Sequence, residues 1–423
     1  MNSFPDSTMA LLTRGYAWRP GRGRSPGADP VRVRLLGRRA YVLSGPDAVG
    51  FFYDEEHIRR RSALPGPVLD TLFGRGAVHT LDGPAHRARK ALFTGLLMDE
   101  ERVAALTERV LTLWRRELAR SRGRELCVFD AASRVLARAV CGWAGLSLSD
   151  RDVRRTARDC VAMVDGWGTP GPRHWRARRA RRRQERLFAR LVERARYQDG
   201  PQGAPASVNP AREPSVLEAV ARHRDADGAL LDPHTAAVEL LNVVRPTVAV
   251  AWFAAFAAHA LHRWPEQADA LRENGGARAR AFAHEVRRFY PFAPFVGGEA
   301  AADLVRNGER IPAGSLVLLD LYGQNHDPAL WDEPGRFDPA RFDGRPPGPD
   351  VLVPQGGGDA RSGHRCPGED ITVALVAALA ADLARRSWTV PEGQDLRIPL
   401  HRMPTRPRSG VVIVPGPGPG PGP

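Results

Sequence analysis

Lysine is nearly absent from this chain: of 62 basic residues, only Lys90 is not arginine. The net charge of +14 is therefore carried by guanidinium groups. Such an excess points to nucleic acid or an anionic membrane only when a binding motif accompanies it, and none does here. An arginine bias of GC-rich coding accounts for it, and no nucleic-acid partner is expected. Cysteine is scarce as well. Cys127, Cys141, Cys160 and Cys366 form no Cys-x-x-Cys pair and no histidine cluster joins them, which argues against a disulfide scaffold or a zinc site. The first three read as small core residues, and the set suits a reducing, cytoplasmic compartment. Long apolar runs are missing too. The longest strictly apolar stretch, Val248 to Ala258, falls far short of the roughly 20 residues of a membrane span. Residues 1–20 lack a basic region followed by an apolar run, so neither leader nor integral membrane segment is expected.

What is present is ample material for a core, with 43% hydrophobic residues in a chain of 423. Forty-two glycines and 37 prolines add long irregular stretches, the composition of a globular enzyme rather than a disordered chain. No low-complexity break divides the middle, so residues 1–414 read as a single domain. Residues 415–423 alternate Pro and Gly and read as a disordered tail. Val31 to Leu36 and Ala40 to Leu43 are strand-like. From Pro84 onward the spacing is mostly helical: 99–121, 131–146, a very basic helix from Trp175 to Tyr197, then 233–261 and 266–290 with a break at Gly275-Gly276. The arginines of the 175–197 helix read as a solvated face, with Leu187, Phe188, Leu191 and Val192 turned inward. Residues 199–214 read as a mobile surface connection. Short strands around 310–321, a Pro- and Gly-rich loop region over 323–365 and a helix over 367–386 complete the pattern.

Two places break ordinary rules. The first is Gln355-Gly356-Gly357-Gly358, continuing through Gly363-His364-Arg365 to a lone Cys366, with an apolar helix directly after it. Pro367 suits a first helical turn. The free N–H groups and positive dipole end of a helix start favour a thiolate over a thiol, and glycines let backbone amides approach the sulfur. Read alone, the pattern fits either a metal-ligating thiolate or a buried free cysteine beside a helix cap.

Glu285-Val286-Arg287-Arg288 places Glu285 and Arg288 on one helix face. Downstream lies Phe337-Asp338-Pro339-Ala340-Arg341-Phe342. Glu-x-x-Arg, then Phe-x-Pro-x-Arg-Phe, then Gly-x-x-Cys-x-Gly, in this order, resembles the cytochrome P-450 superfamily. The resemblance runs from about Val31 to Val414. It implies a mainly α fold with small β-sheets, in which haem b is buried between a long central helix and the cysteine loop. It implies Cys366 as the axial ligand of the haem iron and a network of Glu285, Arg288 and Arg341 that braces the cysteine loop. Arg60, His86, Lys90 and Arg365 then fall at positions that face the haem propionates. Asp359 departs from the usual loop, which has Phe seven residues before the cysteine, and the loop is lengthened.

The second irregularity is Asn242-Val243-Val244-Arg245-Pro246-Thr247 inside the apolar helix. A buried, unpaired arginine costs several kcal/mol. An interior proline costs about 3 kcal/mol and removes the partner of the Asn242 carbonyl, so the helix should kink or open there. The natural partner of such a cation is an anion brought by a ligand, since guanidinium matches carboxylate bidentately. In most cytochromes P-450 this helix carries an acid–alcohol pair. Arg245-Pro246, with the Gln-Gly-Gly-Gly loop, instead resembles the fatty acid peroxygenase and decarboxylase branch. That branch implies hydrogen peroxide as co-substrate and a fatty acid carboxylate held by Arg245, itself serving as acid–base for peroxide cleavage. Oxidation at the alpha or beta carbon would give hydroxy fatty acids or, by oxidative decarboxylation, terminal alkenes, and no redox partner would be required.

His79, in Phe73-Gly74-Arg75-Gly76-Ala77-Val78-His79, is by itself an ordinary polar residue before a turn. The resemblance puts it over the haem as a catalytic residue with Arg245 and Pro246, with Phe73 flanking the substrate. Histidine here goes with decarboxylation and glutamine with beta-hydroxylation. The competing readings are a monooxygenase fed by ferredoxin or flavodoxin, and a non-catalytic haem or fatty acid binding protein.

Overall fold

The computed structural model describes residues 6–18, 20, 29–197, 213–344, 348 and 350–416. The expected connection at 199–214 falls almost wholly, and the Pro/Gly tail largely, outside the described residues.

The helices follow the apolar spacing. Glu100–Arg120 is capped by Asp99, whose carboxylate accepts from the Arg102 N–H, and it buries Leu106, Val110, Trp114 and Leu118 along one stripe. Val128–Trp143 starts three residues ahead of the expected boundary. Glu266–Phe289 has its non-helical step at Gly275, with φ 62° and ψ −141°, where a glycine break is expected. In the basic helix Pro172–Tyr197, Phe188, Leu191 and Val192 are buried and Leu187 is half-buried. Arg181 corrects the solvated-face reading. It is 1% exposed, donates to the carbonyls of Leu72 and Phe73 and pairs with Glu185.

The long helix Pro233–Arg263 is capped by Asp232, which accepts from the His234 and Thr235 N–H groups. It is apolar on nearly all sides because helices Val128–Trp143, Asp150–Gly166, Pro172–Tyr197, Glu266–Phe289 and Glu369–Ala384 pack around it. It is the one described helix long and apolar enough to cross a membrane, and 94% of its apolar window is buried inside the protein, which makes it a core helix. The expected opening at Pro246 does not occur: the backbone stays helical through it. The surrounding helices clamp the segment, and the Thr247 hydroxyl donates to the Val243 carbonyl at 2.9 Å beside the missing ladder bond.

A five-stranded sheet stands apart from the bundle, in the order Val31–Leu35, Arg38–Leu43, Leu316–Asp320, Phe295–Ala300, Ile58–Arg59. Arg38–Leu43 runs parallel to Leu316–Asp320, with Tyr41 opposite Val317; the other pairs are antiparallel. A three-stranded sheet joins Leu126–Cys127, Val412–Pro415 and Trp388–Thr389, and a hairpin joins Leu304–Arg306 to Glu309–Ile311. The cysteine loop thus lies with the large sheet and helix Pro46–Tyr53 on one side and helix Glu369–Ala384 on the other.

Candidate active site

The glycine run is pressed against helix Pro46–Tyr53. A Cβ at Gly356, whose φ is +94°, would lie 2.4 Å from the Tyr53 hydroxyl, and one at Gly357 would lie 2.2 Å from Val49 Cγ1. Only glycine fits there. The following helix begins at Glu369, so Pro367 occupies the preceding turn rather than the first helical turn as expected. Gln355 Nε2 approaches the Cys366 sulfur at 3.7 Å, and the Gly368 N–H also donates to it. Burial nevertheless pushes the Cys366 thiol up, against the pull of Gly368, Lys90 and Gln355. The helix start alone therefore does not yield a thiolate, because desolvation outweighs it. A metal cation on the sulfur would deprotonate it.

Gln355 is held in place by Arg287 Nε, which donates to Gln355 Oε1 at 3.0 Å, and by Thr372 Oγ1, 3.1 Å from Gln355 Nε2. Arg287 is 1% exposed and pairs with Glu369, which also accepts from Arg365 Nε at 2.8 Å. Sequence reasoning missed Arg287, Gln355 and Glu369 as supports of the sulfur. Their spacing carries no signal, since 68 residues separate Arg287 from Gln355.

Glu285 and Arg288 form a buried bidentate pair at 2.6 and 2.7 Å, with both side chains fully buried. Arg288 also donates to the carbonyls of Asn325, Pro334 and Arg336, and Glu285 accepts from the Asp338 N–H at 2.8 Å. Arg341 Nε lies 3.9 Å from Glu285, a looser contact, while its Nη2 donates to the Glu333 carbonyl. The link to the cysteine loop is indirect: Asn325 Oδ1 accepts from the Val353 N–H at 3.1 Å.

A second group gathers beside the loop. Arg60 is 6% exposed, donates to the Gly297 carbonyl at 2.7 Å and lies 4.2 Å over the Phe52 ring. His86 is 1% exposed and stacks on His364 at 3.8 Å between ring centroids. Burial, then the Lys90 charge, push His86 down to about 4. Lys90 is 3% exposed, donates to the Arg365 carbonyl and is pushed down to about 8 by burial. Among the described residues neither Arg60 nor Lys90 has a carboxylate within 4.0 Å, whereas Arg365 is committed to Glu369.

The third group sits on the long helix and the turn facing it. Arg245 is 5% exposed, and among the described residues its guanidinium makes one hydrogen bond, from Nη2 to Asn242 Oδ1 at 3.2 Å. It lies 5.7 Å from the Phe73 ring centroid. Burial, then the Arg181 charge, lower its pKa to about 9, partly offset by Cys160 and Cys366. Asn242 Nδ2 donates to the Phe73 carbonyl at 3.0 Å and to Glu239 Oε2 at 3.1 Å. Glu239 is fully buried, accepts from the Val78 N–H at 2.7 Å and pairs with Arg89 at 2.6 Å. His79, on the 3-10 turn Val78–Thr80, tilts against Phe73 at 4.4 Å between centroids. Burial, then the charges of Arg245 and Lys90, push it down to about 3. Glu239, Asn242 and Arg89 were not foreseen as supports of this turn; a carboxylate among apolar helix residues was the available signal.

Several buried nitrogens have no hydrogen-bond partner among the described residues: Arg60 Nε, His79 Nδ1, His86 Nδ1, Arg245 Nε and His364 Nε2. Burial without a partner is costly. A buried cysteine with two donors on its sulfur, and two cations without carboxylates, fit a flat apolar cofactor bearing two carboxylates. The residues fit haem: Cys366 would hold the iron, and Arg60, His86 and Lys90 the propionates.

Known proteins carry the same arrangement of chain. Residues 279–415 match the family model for cytochrome P-450. The putative cytochrome P-450 138 of Mycobacterium tuberculosis is 28% identical over 320 residues, covering 70% of this chain and 69% of that protein. Cytochrome P-450SP alpha (CYP152B1), solved in complex with (R)-ibuprophen, is 39% identical, with a TM-score of 0.88 over 97% of this chain and 98% of that one. A variant of cytochrome P-450 OleT in complex with arachidonic acid is 33% identical, with a TM-score of 0.89 over 97% of this chain and 96% of that one. Wild-type cytochrome P-450EX alpha (CYP152N1) with myristic acid is 35% identical, with a TM-score of 0.88 over 98% of both chains.

Proposed function

The chain belongs to the cytochrome P-450 family, and we propose that within it the protein is a haem-thiolate peroxygenase that uses hydrogen peroxide to oxidise fatty acids at the alpha or beta carbon. The products are hydroxy fatty acids, terminal alkenes by oxidative decarboxylation, or both. The observation that carries this reading is Arg245: among the described residues, a buried guanidinium with one hydrogen bond to a neutral amide and no carboxylate partner. Solved relatives at 33–39% identity contain arachidonic acid or an arylpropionic acid, both carboxylic acids, which supports a carboxylate ligand here.

Haem b, bound through Cys366, supplies the iron at which peroxide is activated. Arg245 binds the substrate carboxylate and fixes its distance from the reacting centre. Desolvation makes that pair strong, since neither ion has water as an alternative partner. Held there, the carboxylate takes a proton from one oxygen of peroxide and returns it to the other. Pro246 frees the Asn242 carbonyl of a ladder bond and, with Arg245, replaces the usual acid–alcohol pair. Burial and the charges of Arg245 and Lys90 favour the neutral form of His79, which suits a hydrogen-bonding imidazole near the carboxylate rather than an imidazolium acid. Phe73 packs against both His79 and Arg245 and excludes water from them. Glu285, Arg288 and Arg341 fix the segment that precedes the cysteine loop. No redox partner is required. A cytoplasmic location without an integral membrane segment is part of the same proposal, supported by four free cysteines and by the burial of the one long apolar helix.

The test is turnover of a series of saturated fatty acids by haem-loaded protein and hydrogen peroxide, with no electron donor. Alkene and hydroxy acid products are expected. Failure with every fatty acid, alongside reductase-driven oxidation of another substrate, overturns the proposal.

A further inference from the structure

Three guanidinium groups share one carboxylate far along the chain from Arg245. Asp165 lies at the end of helix Asp150–Gly166 and pairs with Arg402 at 2.5 Å, while Arg173 and Arg406 stand 3.8 and 3.9 Å away. Among the described residues it is the only carboxylate within 4.0 Å of any of the three. Three positive charges thus share one close carboxylate, with Asp130 acting on Arg406 from beyond contact distance, and among the described residues the buried Nε of Arg402 has no hydrogen-bond partner. Burial lowers the pKa of Arg173 and Arg406, so the cluster is held at a cost.

The cluster borders a cavity of about 250 Å³ whose lining includes Leu12, Thr169, Arg173, His401, Arg402 and Met403. Leu12, which lines it, is 36% exposed; Met9, on the same short helix, is 67% exposed and Leu400, next in sequence to the lining His401, 38%, and we take these as an apolar apron. Arg406 does not line the cavity but joins the cluster through Asp165, and its guanidinium covers the rings of Phe129, at 3.9 Å, and Trp252, at 5.7 Å. Trp252 is on the long helix, two turns beyond Arg245. The turn that carries Gly168 and Thr169 joins helices Asp150–Gly166 and Pro172–Tyr197, and the second of these grips the Phe73 segment through Arg181. The same pair of helices thus touches both the cavity and the Arg245 pocket.

We propose that Arg173, Arg402 and Arg406 form an entry subsite for the carboxylate of a long-chain fatty acid, which docks there in competition with Asp165 before passing inward to Arg245. The inference rests on the fatty acid reading above. An anion is attracted by the excess charge, the alkyl chain lies on Leu12, Met403 and the apron, and the cavity accommodates a head group and a few methylenes but not a whole chain. The shared carboxylate keeps the hold weak, which an entry site needs if the ligand is to move on.

The experiment is stopped-flow tryptophan fluorescence of the haem-loaded protein mixed with sodium laurate at low and high ionic strength. Arg173→Gln and Arg402→Gln should each slow association about fivefold at low salt and leave dissociation unchanged, with the difference vanishing at high salt. Asp165→Asn should speed association, a gain that a misfolded variant would not give. Arg402→Lys should restore most of the rate. Arg245→Leu should keep the fast, salt-sensitive phase and lose the tight complex, which separates this site from the proposed catalytic one. If wild-type protein binds laurate and none of the changes at 165, 173 or 402 alters association, the entry subsite is overturned and the proposed function stands. If the wild type binds no laurate, both fall.

Discussion

Arg245 donates through Nη2 to Asn242 Oδ1 at 3.2 Å, one helical turn back, and this is the one hydrogen bond its guanidinium makes among the described residues. A buried cation satisfied only by an amide is a site awaiting an anion. Arg245→Leu should therefore abolish fatty acid turnover while haem stays bound. It should also leave the substrate-free protein as stable as before or more stable, because a desolvated charge is removed. Thermal unfolding with and without laurate checks this: the wild type should gain stability on adding laurate, and the variant should not.

Cys366→Ala should eliminate the thiolate-type spectrum of the reduced carbon monoxide complex. Gln355→Leu keeps the ligand but removes a donor from the sulfur. Its haem reduction potential should fall, since a thiolate without that hydrogen bond donates more strongly. Spectroelectrochemical titration of the two proteins gives the sign.

Glu239 supports both halves of the pocket, through the Val78 N–H on one side and Asn242 on the other. Glu239→Gln leaves Arg89 with Asp225 alone and should cost about 3 kcal/mol or more in chemical denaturation. In turnover it should broaden the product mixture, because the His79 turn and Arg245 lose their common anchor. His79→Gln should leave stability nearly unchanged and move product from alkene towards hydroxy acid, measured by gas chromatography. An unshifted ratio would remove His79 from the mechanism.

His259 and His284 are each pushed down to about 4, by burial first and then by neighbouring arginines. Their folded pKa lies below the unfolded value of 6.5, so below that value the unfolded chain binds more protons. The stability they permit is complete above pH 6.5 and is lost as pH falls towards 4. Each contributes a slope of about 1.4 kcal/mol per pH unit in that window. Denaturant unfolding between pH 7 and 4.5 should show the decline, and His259→Asn should reduce its slope by one proton.

Much of this was legible in the sequence because the informative residues violate a local rule. A charge and a proline inside an apolar helix, or a cysteine after a glycine run, stand out from what propensity and burial would choose. Helical spacing put Glu285 and Arg288 on one face, but their bracing role came only from the resemblance of the three ordered motifs. The supports of the sulfur were not legible. Arg287, Gln355 and Glu369 come from three segments whose juxtaposition depends on the whole fold, and each is an ordinary polar residue in its own segment. Arg181 was misread because its helix carries so many other arginines that one buried among them leaves no trace. At Pro246 the opening foreseen does not occur: the helix continues through the proline, with neighbouring helices packed along its length.

Lys90, the only lysine of the chain, is 3% exposed. A lysine-specific protease consequently has one internal cleavage site, and the folded protein hides it. Cleavage there would split the chain into two fragments of very unequal size, and only during an opening of the cysteine-loop region. The rate at which the two bands appear would report how often that region opens, and how far haem or a fatty acid holds it closed.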